Sequence, residues 1–122
     1  MKLELVMVPV TDVDRAKEFY ERVGFNPDHD VEVSADVRFV QMTPPGSACS
    51  IAFGKGLTRM EPGSLDNMQM VIADADATRA ELVARGIEVS EVDELAWGRF
   101  VFFADPDGNG WALQQLPGHP HG

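Results

Sequence analysis

The chain has 122 residues, a length that suits one compact domain with its own core. Apolar residues make up 44%, which excludes wholesale disorder, and no apolar run nears the roughly 18 residues of a membrane span. Twenty acidic against ten basic residues give a net charge of −10, which repels nucleic-acid phosphates and anionic lipid. Neither nucleic acid nor a membrane is therefore expected as a partner. The single cysteine, Cys49, excludes an internal disulfide and a CxxC zinc site, and the opening MKLELVMVPV reads as a strand rather than a secretory leader. A cytoplasmic location is the simplest expectation.

In chain order, an apolar strand over 3–10 ends near Asp12, which caps a helix carrying Ala16, Phe19, Tyr20 and Val23 on one face. Gly24 stops that helix. Strands are predicted at about 25–33, 36–43 and 48–54. A connector holding Gly56, Pro62 and Gly63 follows. The order then repeats: a strand over 68–73, the capping residue Asp74, a helix marked by Ala80, Leu82 and Val83, and Gly86. Three strands come last, at about 87–93, 99–104 and 110–116.

Two halves match at an offset of 62. Val10-Thr11-Asp12-Val13-Asp14 matches Ile72-Ala73-Asp74-Ala75-Asp76. Gly24-Phe25 matches Gly86-Ile87. Thr43-Pro44-Pro45-Gly46-Ser47 matches Asp105-Pro106-Asp107-Gly108-Asn109, the latter a type I turn by its Pro and Gly. The expected fold class is α+β, with two tandem βαβββ modules at 1–54 and 67–116, a linker at 55–66 and a mobile tail at 117–122. Two curved sheets side by side would form a half-open mixed-sheet cup with helices on the outer face.

If Leu5, Asn67, Ser50 and Ala112 face inward, alternation adds Met7 and Gln69; a three-residue loop at Pro106-Asp107-Gly108 would pair Phe102 with Ala112 and so add Phe100 and Phe102, with Arg38 and Val40 as repeat counterparts of the two Phe residues. A register slip of one residue would bring in Phe103, Val101 and Phe39 instead. Trp97, beside Gly98, is placed on the rim. Cys49 and Trp111 are expected in the core on the helix side. A wide apolar and aromatic pocket with a few amides suits a small-molecule ligand.

The run Val10-x-Asp12 with Ala16-Lys17-Glu18-Phe19-Tyr20 and Gly24-Phe25 resembles the vicinal oxygen chelate superfamily, which groups glyoxalases, bleomycin-resistance proteins and extradiol dioxygenases. Asp74-Ala75-Asp76, Leu82-x-x-x-Gly86 and Phe103-x-Asp105-Pro106-Asp107-Gly108-Asn109 carry the same resemblance. It spans about 110 residues of the chain and implies one domain and a two-fold homodimer. It also implies a divalent metal in those members that use one, held from the first and last strand of each module. Those positions map to Leu5, Asn67, Ser50 and Ala112. None is an imidazole, carboxylate or thiolate, so no metal and no cofactor are expected. The resemblance then points to metal-free binding of a bulky aromatic or cationic molecule, as in antibiotic resistance. A glyoxalase-like lyase, isomerase or dioxygenase, and a binder of a biosynthetic intermediate, are the alternatives.

Overall fold

The computed structural model describes residues 1–118; His119 to Gly122, where most of the predicted tail falls, lie outside the described residues. The fold is α+β and consists of two βαβββ modules, each with its own four-stranded mixed sheet and one helix. The chain divides into two compact units. The first is Met1–Leu65 together with Asp105–Asn109, and the second is Asp66–Ala104 together with the residues from Gly110 onward.

In the first unit, β1 (Leu5–Met7), α1 (Val13–Val23), β2 (Asn26–Ser34), β3 (Val37–Thr43) and β4 (Ser50–Lys55) form a sheet of order β1-β4-β3-β2. β1 and β4 are parallel and the other pairs antiparallel. Asp12 caps α1 by accepting from the Arg15 N–H at 3.0 Å. Ala16, Phe19, Tyr20 and Val23 are its buried residues, the spacing of one helical face. Tyr20 is wholly buried, with ring centroids 5.3 Å from Phe25 and 5.8 Å from Phe53. Burying each such ring stabilises by about 1.5–3 kcal/mol. The Tyr20 hydroxyl donates to Asp105 at 2.8 Å. Asp105 also accepts from the Asn109 backbone at 2.9 Å and the Asn109 amide at 2.8 Å. The same turn places Asp107 to accept from the Thr11 hydroxyl at 2.7 Å.

In the second unit, β5 (Met68–Ile72), α2 (Ala75–Ala84), β6 (Asp93–Leu95), β7 (Gly98–Ala104) and β8 (Gly110–Gln115) give the order β5-β8-β7-β6. Asp74 caps α2 through the Ala77 N–H at 3.0 Å. Three expectations are corrected here. Ala80 and Val83 are exposed, and the helix instead buries Ala75 and Leu82, one step apart on the i, i+7 row. The strand expected over 87–93 shrinks to the three residues of β6. One backbone bond remains there, from the Ser90 N–H to the Phe102 carbonyl at 2.9 Å, and side chains add to it: the Ser90 hydroxyl accepts the Phe102 N–H at 2.9 Å, and the Ser90 carbonyl accepts from Arg79 at 2.8 Å. Cys49 is half-buried in the turn before β4 rather than in the core. Trp111 is buried, stacked on Phe103 with centroids 6.1 Å apart.

Candidate functional site

Strand register decides which side chains share a face. In the first module Leu5 lies beside Ser50, and Met7 beside Ala52, which in turn lies beside Gln41. These residues occupy the face away from α1. Val40 pairs with Phe53 and Met42 with Ile51 on the α1 side, where Phe53 meets Tyr20. In the second module Gln69, Ala112 and Phe102 are neighbours across the sheet, and so are Val71, Gln114 and Phe100. Val101, Phe103, Trp111 and Leu113 take the opposite face, with Arg99, whose guanidinium reaches Asp76 of α2 at 2.8 Å.

The expected set therefore divides. Leu5, Met7 and Ser50 share the far face of the first sheet. Gln69, Phe100, Phe102 and Ala112 share the far face of the second, with Phe102 opposite Ala112 as the three-residue loop reading requires. Asn67 stands just before β5 at a left-handed φ of 62°. Arg38 and Val40 do not belong with Leu5. Val40 is fully buried on the α1 side. Arg38 donates to Asp30 through two nitrogens at 3.0 and 2.9 Å and to Asp14 of α1 at 2.9 Å.

The reason is a shortening of the repeat. The neighbour sets Met7–Ala52–Gln41 and Gln69–Ala112–Phe102 are equivalent. The offset is thus 62 in the first strand, 61 in the third and 60 in the fourth. One residue of difference moves a strand position to the opposite face. Phe39 is the true counterpart of Phe100, and Gln41 that of Phe102. Arg38 corresponds to Arg99, and the pairs Arg38–Asp14 and Arg99–Asp76 repeat each other. Likewise Ser50 corresponds to Gly110, and Ala52 to Ala112.

The second sheet's far face is the more distinctive. Phe100 and Phe102 stack nearly parallel, with centroids 5.9 Å apart and planes 7° apart. The Gln69 amide donates to Gln114 at 2.8 Å, and the Gln114 amide donates to the Trp97 carbonyl at 2.7 Å. This chain of amides links the face to the turn between β6 and β7, where Trp97 is 60% exposed. Phe102 is 37% exposed and Val71 64%, whereas Ala112, between Gln69 and Phe102, is wholly covered. The sequence marked the aromatics and Gln69, but the Gln114–Trp97 link is a contact 17 residues apart with no local signal. The first unit also holds a cleft of about 340 Å³ lined by Pro9, Thr11, Gly54, Leu57, Met60 and Pro62, none of them in the expected set.

The strand positions that would hold a divalent cation carry no donor for one. The first-strand positions are Leu5 and Asn67, and the last-strand positions are Ser50 with Gly110 and Ala52 with Ala112. These offer no imidazole, carboxylate or thiolate. Among the described residues no three His, Cys, Asp or Glu side chains form a group that could hold a metal ion.

Charge on the helix side is committed to ion pairs. Hydrogen bonds from Arg38 and then Lys17 hold the Asp30 carboxyl well below the ordinary carboxylate range, and Asp30 and Asp14 raise Arg38 in turn. A carboxylate whose folded pKa is depressed adds stability above its unfolded pKa near 3.8, and loses it as pH falls toward the folded value. The Arg38→Leu variant is expected to bring the Asp30 titration, followed by carboxyl-carbon NMR, back up toward 3.8. It is also expected to remove part of the acid-side fall in stability. An unchanged Asp30 midpoint would contradict this arrangement.

Two mixed four-stranded sheets, each built from a βαβββ unit with its helix on one side, define a paired-module α+β fold. The chain belongs to the Glyoxalase/Bleomycin resistance protein/Dioxygenase superfamily, whose model matches residues 2–113. It is similar to TnmS3, an antibiotic binding protein from Streptomyces sp. CB03234, at 36% identity and a TM-score of 0.87, covering 96% of this chain and 97% of that one. A glyoxalase/bleomycin resistance protein from the same Streptomyces is similar at 37% identity and a TM-score of 0.81, covering 93% and 100%. YetH of Bacillus subtilis (strain 168) is 26% identical over 113 residues, 90% of this chain and 94% of that protein.

Proposed function

We propose that this protein is a metal-free binding protein that sequesters a bulky aromatic small molecule of the antibiotic type, without chemical conversion. The observation that carries this reading is the far face of the second sheet: two stacked Phe rings, an amide pair oriented by hydrogen bonds, and an exposed Trp97 one turn away. Stacking adds about 0.5–1.5 kcal/mol per aromatic pair beyond area burial, and oriented amides select carbonyl and hydroxyl groups. Likeness to an antibiotic binding protein supports the same ligand class. The net charge of −10 favours neutral or cationic ligands over anionic ones. Leu5, Met7, Ser50, Asn67, Gln69, Trp97, Phe100, Phe102 and Ala112 are the residues proposed to contact ligand. The protein is further read as one cytoplasmic domain that works as a homodimer, so sedimentation at micromolar concentration should give twice the chain mass.

The test is a titration of the purified protein with aromatic antibiotics, polyketides and bleomycin-like glycopeptides, followed by tryptophan fluorescence. Quenching with a Kd of about 1 μM or tighter, roughly −8 kcal/mol, is expected for at least one. Phe102→Ala should weaken that ligand about tenfold, as loss of one stacked ring predicts, while leaving the melting temperature within a few degrees. Absence of binding across the whole panel overturns the reading. Conversion of a bound ligand to product places the chain among the family's enzymes instead.

A further inference from the structure

A chain of hydroxyl groups leads from an edge-strand carboxylate to the far face of the first sheet. The register of β2 on β3 shifts between Pro27 and His29, which leaves Asp28 as an extra residue at a bulge. Its carboxylate accepts from the Asn26 amide at 2.8 Å and from the Thr43 hydroxyl. Thr43 Oγ1 lies 2.6 Å from Ser50 Oγ. Ser50 is 5% exposed and stands beside Leu5.

Proton counting fixes the direction. An ionised carboxylate only accepts, so Thr43 spends its one hydroxyl proton on Asp28. Hydrogen bonds from Thr43 and then Asn26 lower the Asp28 pKa further, which keeps it ionised at neutral pH. Thr43 then has only lone pairs to offer Ser50, and the Ser50 proton must point at Thr43. What Ser50 Oγ presents elsewhere is lone pairs alone. Among the described residues no group donates to them, and a buried acceptor left without a donor costs free energy.

We infer that Ser50 is a specificity-determining residue, an obligate hydrogen-bond acceptor for a hydroxyl or amino group of the ligand, with its polarity set by the Asp28–Thr43 relay. The inference rests on the binding role proposed above and narrows it: a ligand that reaches Ser50 carries a donor there. A ketone, ether or carboxylate at that point meets an oxygen that cannot donate. The anionic end of the relay adds to the exclusion of the carboxylate.

Four naphthalene probes of one size test this by fluorescence titration: 2-naphthol, 2-naphthylamine, 2-methoxynaphthalene and 2-acetylnaphthalene. The wild-type protein should bind the naphthol and the amine about tenfold more tightly than the ether and the ketone, as one buried hydrogen bond implies. Ser50→Ala should erase that preference. Thr43→Val frees the Ser50 proton to turn outward, and should move the preference toward the ketone. Thr43→Ser keeps the relay and should behave as wild type, which separates loss of the hydroxyl from loss of packing. Far-UV circular dichroism verifies folding of each variant. If all four probes bind alike to wild type, the acceptor role is overturned while the binding reading stands. If none binds, the acceptor role is overturned, and the antibiotic panel alone decides the binding reading. If Thr43→Val keeps the wild-type order, the relay does not set the polarity and the inference fails.

Discussion

Replacing Asp105 with Ala should lower the stability of the fold by about 3 kcal/mol or more, because each buried group that loses its acceptor costs about 1–3 kcal/mol. Asp105 is 4% exposed and is shared by four donors: the Tyr20 hydroxyl, the backbone N–H groups of Asp107 and Asn109, and the Asn109 amide. Asp105→Asn keeps the shape and one acceptor oxygen, and should cost about half as much. Tyr20→Phe removes one donor and leaves the carboxylate three others, for roughly 1 kcal/mol. Urea unfolding resolves these steps, because a stability change moves the midpoint at constant slope. A loss below about 1 kcal/mol for Asp105→Ala would show that water replaces the carboxylate, and that the turn is not held by it.

Gly63→Ala should be the most damaging of the glycine replacements in the connector, at about 2 kcal/mol or more, since a left-handed residue with a Cβ costs about 1–2 kcal/mol before any clash. Gly63 has a φ of +78°, and a Cβ there would run into the backbone carbonyl of Asp107. Backbone cannot rotate aside as a side-chain tip can. Gly63 also donates its N–H to the Pro9 carbonyl at 3.1 Å, so relief by local movement would break that bond. Gly46 provides the control: it has a φ of +77° but open space around its Cβ. Gly46→Ala should show the conformational cost alone, about 1 kcal/mol. Equal losses at the two sites would mean that the connector yields and the close approach is unimportant.

The sequence carried the order of elements because that order is written locally. Asp12 and Asp74 cap where a carboxylate precedes an apolar helical face, and both accept the expected N–H. The register of Phe102 against Ala112 was legible for the same reason: Pro106, Asp107 and Gly108 fix the loop length between two strands. Arg38 and Val40 went to the wrong face because the repeat offset falls from 62 in the first strand to 61 in the third, a one-residue change that leaves no local mark. Ala80 and Val83 were misassigned because α2 has little amphipathic pattern of its own, and the sheet it packs on decides which side is buried. Asp105 and Asp107 were explained as turn residues, which they are. Their partners Tyr20 and Thr11 lie 85 and 96 residues away, beyond the reach of any spacing rule.

The turn from Asp105 to Asn109 belongs to the first unit although the second half of the chain encodes it. During synthesis the helix bearing Tyr20 emerges long before the carboxylate that receives its hydroxyl. The first module therefore leaves the ribosome with the residues of its strands and aromatic cluster but without the acceptor for Tyr20. Its completion waits for the turn between β7 and β8. A gene cut between the repeats would yield a first half with every element and still without the group that accepts from Tyr20. The symmetry of the sequence thus conceals a dependence that runs one way, from the later repeat to the earlier.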